Sequence, residues 1–221
     1  MQRLTTPTWK EPDSHPELAD SEIHVWRSSL DRQNCNQRAF SASERERWEN
    51  FSDPESANRY CATRTWLRAL LSRYAHTDPD SLDIQTAELG KPFLRHPKNC
   101  LTFNLSHSGN WLLIAVARAV QVGVDLEVQR DIRNREKIAA RVLDADANAE
   151  LQADNYHPLT FTAHWTRMEA KQKCLGQGVF GRQVGSGGVG LHTFHAGDRL
   201  LASLAWAAPE WQPGIKYFIF R

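Results

Sequence analysis

At 221 residues the chain is long enough for one large domain or two small lobes, and for a sizeable buried core. Its 41% hydrophobic and 24% charged residues are those of an ordinary soluble protein, and a net charge of +1 argues against a dedicated nucleic-acid binder while leaving room for a local basic site. The four cysteines, Cys35, Cys61, Cys100 and Cys174, show no CxxC pair or short metal spacing and read as reduced, mostly buried thiols. With no apolar leader region and no apolar run of about 18 residues, a cytoplasmic protein away from membranes is expected.

Residues 1 to 20, with Pro7, Pro12 and Pro16 among polar neighbours, read as an extended lead-in. Glu22 to Trp26 is the first strand. Ser41-Ala42-Ser43-Glu44 has the capping-box pattern that opens a helix through Arg45, Arg47 and Trp48. A second helix is predicted from Pro54 to Ala75, because Tyr60, Thr63, Leu67, Leu70, Leu71 and Tyr74 recur at helical spacing. Arg59, Arg64, Arg68 and Arg73 lie off or beside that stripe and read as a solvated basic face or, alternatively, an anion-binding one. Leu82 to Leu89 resembles a short strand, followed by a Gly90-Lys91-Pro92-Phe93 loop that presents the lysine on a constrained backbone.

The centre of the chain carries the chemistry. From Phe103 an apolar run breaks into Asn104-Leu105-Ser106-His107-Ser108-Gly109, read as a loop, and a strand-like run follows from Trp111 to Ala117. Val122 to Val128 then alternates strictly, with the valines and Leu126 on one face and Gly123, Asp125 and Glu127 on the other. Carboxylates at i and i+2 of a strand stand roughly 6–7 Å apart at Cα, which is costly unless a cation or water compensates. Helices are expected over 133–142 and 145–152, and another from Phe161 to Leu175 that stops at Gly176. That last helix aligns Trp165, Glu169 and Lys173 at i, i+4 and i+8. A glycine-rich connection and strands near 191–194, 200–206 and 216–220 complete the chain.

Two tempting motifs are set aside. Gly176-Gln177-Gly178-Val179-Phe180-Gly181 matches GxGxxG, but a helix precedes it and more glycines follow, the reverse of the dinucleotide-binding context. Ser106-His107 lacks a nucleophile elbow, and adjacent strand residues point to opposite faces. Asp125 and Glu127 alone read as a polar strand face; a third carboxylate, Glu169, would make an oxygen-rich set suited to Mg²⁺, with Lys91, His107 and Lys173 as counter-charges for phosphates.

Four segments in register resemble the 4′-phosphopantetheinyl transferases of the larger, surfactin-synthetase-activating type. They are Gly90-Lys91-Pro92, Phe103 to Ser108, Gly123 to Glu127, and Trp165 to Lys173. The resemblance implies an α+β fold of two similar α/β lobes related by a pseudo-twofold, with coenzyme A in the cleft between them. The expected division is a lead-in over 1–20, a lobe over 21–110 and a lobe carrying the metal site over 111–221. By the same resemblance Asp125, Glu127 and Glu169 would hold Mg²⁺. Arg47, Gly90, Lys91, Asn104, Ser106, His107, Asp125, Glu169 and Lys173 would bind coenzyme A, and Glu169, Lys173 and His107 would act in catalysis. The implied partner is an apo acyl, polyketide or peptidyl carrier protein, and a monomer is expected. Two residues depart from the family pattern: Met168 stands where a lysine is usual, and Glu44 replaces a basic residue one turn before Arg47. The Met168 departure motivates the alternative of a non-catalytic coenzyme A or carrier-binding relative; a phosphohydrolase built on the same carboxylates is a third reading.

Overall fold

The computed structural model describes residues 4–30, 35–97, 100–177 and 188–220. Most of the Gly176-to-Gly190 connection lies outside these residues. The fold is mixed α+β. A four-stranded sheet is built from β1 (Glu22–Ser29), β4 (Leu101–Ser108), β5 (Trp111–Arg118) and β9 (Gly214–Ile219), in the order β4-β5-β1-β9. Within it β5 runs antiparallel to both β4 and β1, while β9 is parallel to β1. A hairpin of β2 (Asp83–Thr86) and β3 (Pro92–His96) stands apart from it. The second sheet is antiparallel in the order β6-β8-β7, from β6 (Val122–Val128), β7 (Gly190–Gly197) and β8 (Leu200–Trp206).

Strand alternation turns these two sheets into layers. On one face of the first sheet Trp26, Phe103, Leu112, Ile114 and Val116 pack against Trp66, Leu67, Leu70 and Leu71 of helix α2 (Pro54–Ala75). On the other face Ile23, Val25, Leu113, Ala115 and Ala117 meet Val122, Val124, Leu126, Phe194 and Leu204 of the second sheet. The far side of the second sheet is covered by α5 (Pro158–Leu175), where Ala170 and Cys174 bury against Ala205. Short helices α1 (Ala42–Glu49), α3 (Arg135–Val142) and α4 (Ala145–Ala153) complete the described elements.

Local signals set the helix ends. In α1 the Glu44 N–H donates to Ser41 Oγ (3.2 Å) and the Ser41 N–H donates to Glu44 Oε2 (3.0 Å), the reciprocal capping box expected from the sequence. Proline occupies the first turn of both α2 and α5, and Gly176 ends α5 in the left-handed conformation at φ 68°.

Several expectations change. Asn104 to Ser108 is strand, not loop: it completes β4, and the turn is Gly109-Asn110. Phe93 belongs to β3 rather than to the preceding loop. Position 110 falls inside the β4–β5 hairpin, and β9 returns from the end of the chain to the first sheet. The lead-in is extended as expected but pinned to both sheets: the His195 N–H donates to the Thr5 carbonyl (2.8 Å), and the Ile219 N–H to that of Lys10 (2.8 Å). Trp9 wedges between Phe194 and Tyr217, and the Arg27 guanidinium lies between Trp9 and Trp111 while donating to the Ala196 carbonyl. Arg68 leaves the solvated basic face altogether. It is 1% exposed and bonded through Nε (2.9 Å) and a terminal nitrogen (2.6 Å) to Glu44 Oε2. No described helix is long and apolar enough to cross a membrane.

The reading of four reduced thiols is also corrected. Cys35 and Cys61 form a disulfide with Cα atoms 5.3 Å apart, leaving Cys100 exposed and Cys174 buried as free thiols. The bridge ties the approach to α1 to the middle of α2 and closes a loop with a sequence separation of 26. Closing such a loop stabilises a fold by about 2–4 kcal/mol. Purified protein, denatured without reductant, is expected to show two titratable thiols, and reduction is expected to lower its melting temperature; four thiols before reduction would remove the bridge.

Candidate active site

The site forms where α5 lies across β6. Gly123 makes that contact possible: a Cβ there would stand 2.1 Å from the Ala170 carbonyl oxygen and 2.3 Å from the Cys174 nitrogen. Because Gly123, Asp125 and Glu127 share a strand face, the helix that seats on the glycine also passes over the two carboxylates. Lys173 Nζ donates to Asp125 Oδ1 (2.7 Å) and to Ser106 Oγ (3.0 Å), and Ser106 Oγ donates to the same carboxylate oxygen (2.9 Å). Glu169, one turn earlier on α5, is buried beside them.

Asp125 is close enough to act on the ionisation of Glu127 and Glu169, and Glu127 on that of Glu169. Burial first, then the Asp125 charge, pushes the Glu169 carboxyl above the usual carboxylate range, against a smaller downward pull from Lys173. Glu127 is raised mainly by burial; Ser108 opposes the shift and Asp125 reinforces it. Asp125 Oδ2 is buried and has no hydrogen-bond partner among the described residues. Among the described residues no three His, Cys, Asp or Glu side chains converge tightly enough to hold a metal ion on their own. An orphaned carboxylate oxygen beside two further carboxylates is nevertheless a donor set of the hard type Mg²⁺ uses when substrate oxygens and water complete its shell.

The strand β4 supports β6 from the opposite side. Asn104, Ser106 and Ser108 share a face, and each reaches β6: Asn104 Oδ1 accepts from the Val124 N–H (2.9 Å), Ser106 holds Asp125, and Ser108 Oγ both accepts from the Val128 N–H (3.1 Å) and donates to Glu127 Oε2 (2.8 Å). Two edge strands from different sheets are thus joined by side chains instead of a backbone ladder. His107 takes the other face and is largely exposed; partial withdrawal of its ring from water, then the Arg59 and Lys173 charges, hold its pKa below the ordinary value.

The remaining predicted residues lie farther out. Gly90 sits at φ 90° in the β2–β3 turn, so its glycine meets a backbone requirement. Lys91 gives its ammonium to Gln121 Oε1 (2.9 Å), the Val122 carbonyl (3.1 Å) and the Cys174 carbonyl (2.8 Å), clamping the hairpin to the start of β6 and the end of α5. Arg47 is exposed on α1 and stands over the Tyr60 ring, 5.5 Å from its centroid; Arg64 faces the same ring at 5.4 Å. No hydrogen bond or ion pair among the described residues links Arg47 to the carboxylates.

Comparison with known proteins decides the family. A model of the 4′-phosphopantetheinyl transferase N-terminal domain matches residues 24–119, and one of the 4′-phosphopantetheinyl transferase superfamily matches residues 121–201. The chain is 32% identical over 180 residues to the 4′-phosphopantetheinyl transferase HetI of Nostoc sp., covering 78% of this chain and 76% of that protein. This chain belongs to the 4′-phosphopantetheinyl transferase superfamily. It is also 29% identical over 143 residues to a 4′-phosphopantetheinyl transferase of Bacillus subtilis, covering 64% of this chain and 62% of the relative. Identity to the transferase AcpT of Escherichia coli K12 is 38% over 117 residues, covering 50% and 57%. The two family models divide this transferase-superfamily chain between β5 and β6, so the carboxylates of β6 and α5 fall together in the second match.

Sequence reading missed Ser108 as a partner of Glu127 and Gly123 as the seat of the helix. The period-two polar run Asn104, Ser106, Ser108 was the available signal for the first; the second needs the packing of α5. The departure at Glu44 has a structural reason: the capping box and the buried Arg68 both require an acid there.

Two outcomes test this geometry. Gly123→Ala is expected to destabilise the fold by about 1–3 kcal/mol, since backbone must give way, and an unchanged melting temperature would mean that α5 does not seat on β6. In metal-free buffer Glu169→Gln is expected to raise the melting temperature near neutral pH. A carboxyl with a folded pKa above its unfolded one contributes stability below the unfolded pKa and loses it as pH rises through the folded one. The advantage of the variant should therefore vanish at acid pH, and a destabilised variant at neutral pH would contradict a buried, mutually repelled carboxylate.

Proposed function

We propose that this chain transfers the 4′-phosphopantetheine arm of coenzyme A to a serine of an apo carrier protein, of the acyl, polyketide or peptidyl type, releasing adenosine 3′,5′-bisphosphate. The observation that carries this reading is the meeting of Asp125, Glu127, Glu169 and Lys173 through the α5–β6 contact, in a chain of this superfamily. Asp125, Glu127 and Glu169 are the residues that would hold Mg²⁺ with phosphate oxygens of coenzyme A; bound there, the ion would neutralise the pyrophosphate and the charge developing on the leaving oxygen.

The chain's own groups do the rest. In the free protein the Lys173 ammonium is paired with Asp125 at the edge of the site and is placed to turn to a phosphate oxygen, with Arg59 adding positive charge nearby and His107, its pKa held down, offering a neutral ring N–H as a donor. These groups position the pyrophosphate for in-line displacement. Glu169 takes the proton of the carrier serine as its Oγ forms a bond to the β-phosphorus and the bond to adenosine 3′,5′-bisphosphate breaks. Asn104, Ser106, Gly90, Lys91 and Arg47 bind the nucleotide end, as the family resemblance implies. Beside Glu127 opens a cleft of about 200 Å³ lined by Val128, Ile132, Ile138, Phe161 and Trp165, an apolar surface suited to an uncharged arm or an apolar face of the carrier. A cytoplasmic monomer fits these substrates.

Incubated with coenzyme A and Mg²⁺, the protein is expected to add one phosphopantetheine to at least one of a panel of apo carriers, read by intact mass, with EDTA stopping the gain. Glu169→Gln should reduce the rate at least about 100-fold, the lower range for a lost general base. Tight coenzyme A binding with no mass gain on any carrier would favour the non-catalytic relative suggested by Met168. Phosphate release from nucleotides without a carrier would favour the hydrolase.

A further inference from the structure

We infer that Ser108 is a positioning residue for Glu127: its hydroxyl fixes the carboxylate on the Asp125 side of the site, where it can serve as a metal ligand. This rests on the transferase reading above for the role of Glu127, and on the geometry for the role of Ser108.

The direction of the hydroxyl is unambiguous. A backbone N–H can only donate, so the Val128 N–H takes a lone pair of Ser108 Oγ at 3.1 Å, and the single hydroxyl hydrogen is left for Glu127 Oε2 at 2.8 Å. The serine is thereby oriented by the very strand whose carboxylate it holds. A strand side chain and a backbone amide one residue apart on β6 are locked to one atom of β4, which sets both the strand-to-strand register and the Glu127 rotamer.

Glu127 needs this restraint more than its neighbours do. Asp125 is short and gripped by Ser106 and Lys173, whereas Ser108 makes the one hydrogen bond to the Glu127 carboxylate among the described residues. Glutamate also has an additional rotatable bond, and a competing cation is near: Arg130 acts electrostatically on Glu127 and lines the same apolar cleft. Without the hydroxyl, the carboxylate is free to turn along the cleft towards Arg130, away from Asp125 and Glu169. Partners that orient a ligand from behind typically change metal affinity 10–100-fold when removed.

The test compares Ser108→Ala with Ser108→Thr, which keeps the hydroxyl. Mn²⁺ binding is measured by electron paramagnetic resonance in the presence of saturating coenzyme A and without carrier, so that no turnover is needed. Ser108→Ala is expected to bind Mn²⁺ at least about 10-fold more weakly, to need correspondingly more Mg²⁺ for half-maximal transfer, and to keep the KM for coenzyme A within about twofold, while Ser108→Thr stays close to the unsubstituted protein. Unchanged Mn²⁺ affinity in Ser108→Ala overturns the inference. An equal loss in both variants overturns it too, because the hydroxyl would then be irrelevant and packing alone responsible. If the unsubstituted protein binds Mn²⁺ but transfers nothing, the transferase reading fails while the Ser108 comparison still decides the positioning role. If it binds no Mn²⁺ at all, both fall.

Discussion

The site depends on an absent side chain. A Cβ on Gly123 would lie 2.1 Å from the Ala170 carbonyl oxygen, a separation that real Cβ atoms do not show. With glycine there, α5 descends onto β6, and the strand's period of two and the helix's period of 3.6 do the rest. Asp125 and Glu127 follow the glycine at two-residue steps on the strand, while Glu169, Ala170, Lys173 and Cys174 face them from adjacent turns of the helix. Lys91 reinforces the same junction from outside, because its ammonium bridges the Val122 carbonyl and the Cys174 carbonyl near the end of α5. A lysine placed on the final turn of a helix in this way also meets the negative end of the helix dipole, and its burial lowers its own pKa.

The second constraint is the junction between sheets. Backbone pairing between β4 and β6 would merge the two sheets and leave no room for side chains at the seam. Here three small polar residues of β4 reach β6 instead: Asn104 and Ser108 accept from its amides, and Ser106 and Ser108 donate to its carboxylates. The seam satisfies exposed edge amides and places fixed dipoles behind two carboxylates at once. Burial makes Glu127 and Glu169 costly to ionise, and the Asp125 charge adds to the cost at both. A positive charge bound beside these carboxylates would relieve the repulsion that folding alone leaves in place.

The sequence contained the helices, the alternating β6 strand and the glycine stop of α5, because each is written in a local period or a cap. It also contained the residue types of the site. What it did not contain was their meeting: nothing in the spacing of Asp125 and Glu169 says that a strand and a helix more than forty residues apart touch, and the contact depends on shape at Gly123. The reading of Asn104 to Ser108 as a loop failed because polar residues at period two look like loss of structure when a strand faces another strand's edge instead of an apolar core. Arg68 of α2 was misplaced for a similar reason, while Arg73 is exposed. Charge suggests solvent, but a guanidinium with a full set of acceptors can be buried, and Arg68 has Glu44 together with the Pro79 and Leu82 carbonyls.

That buried pair also explains the departure from the family pattern at Glu44. This residue closes the α1 capping box with one oxygen, neutralises Arg68 with that same oxygen, and lies 3.7 Å from Arg64 through the other. A basic side chain there would leave Arg68 buried without a counter-charge, a loss of about 3–5 kcal/mol, and would remove the cap as well. The acid at 44 and the buried arginine at 68 therefore require each other in this fold. Arg47 and Arg64 both stand over the Tyr60 ring; Arg64 is also paired with Glu44, whereas Arg47 is exposed and no ion pair holds it among the described residues. Aromatic support restrains the Arg47 guanidinium without neutralising it, so an anion bound at this end of the chain meets charge that remains available.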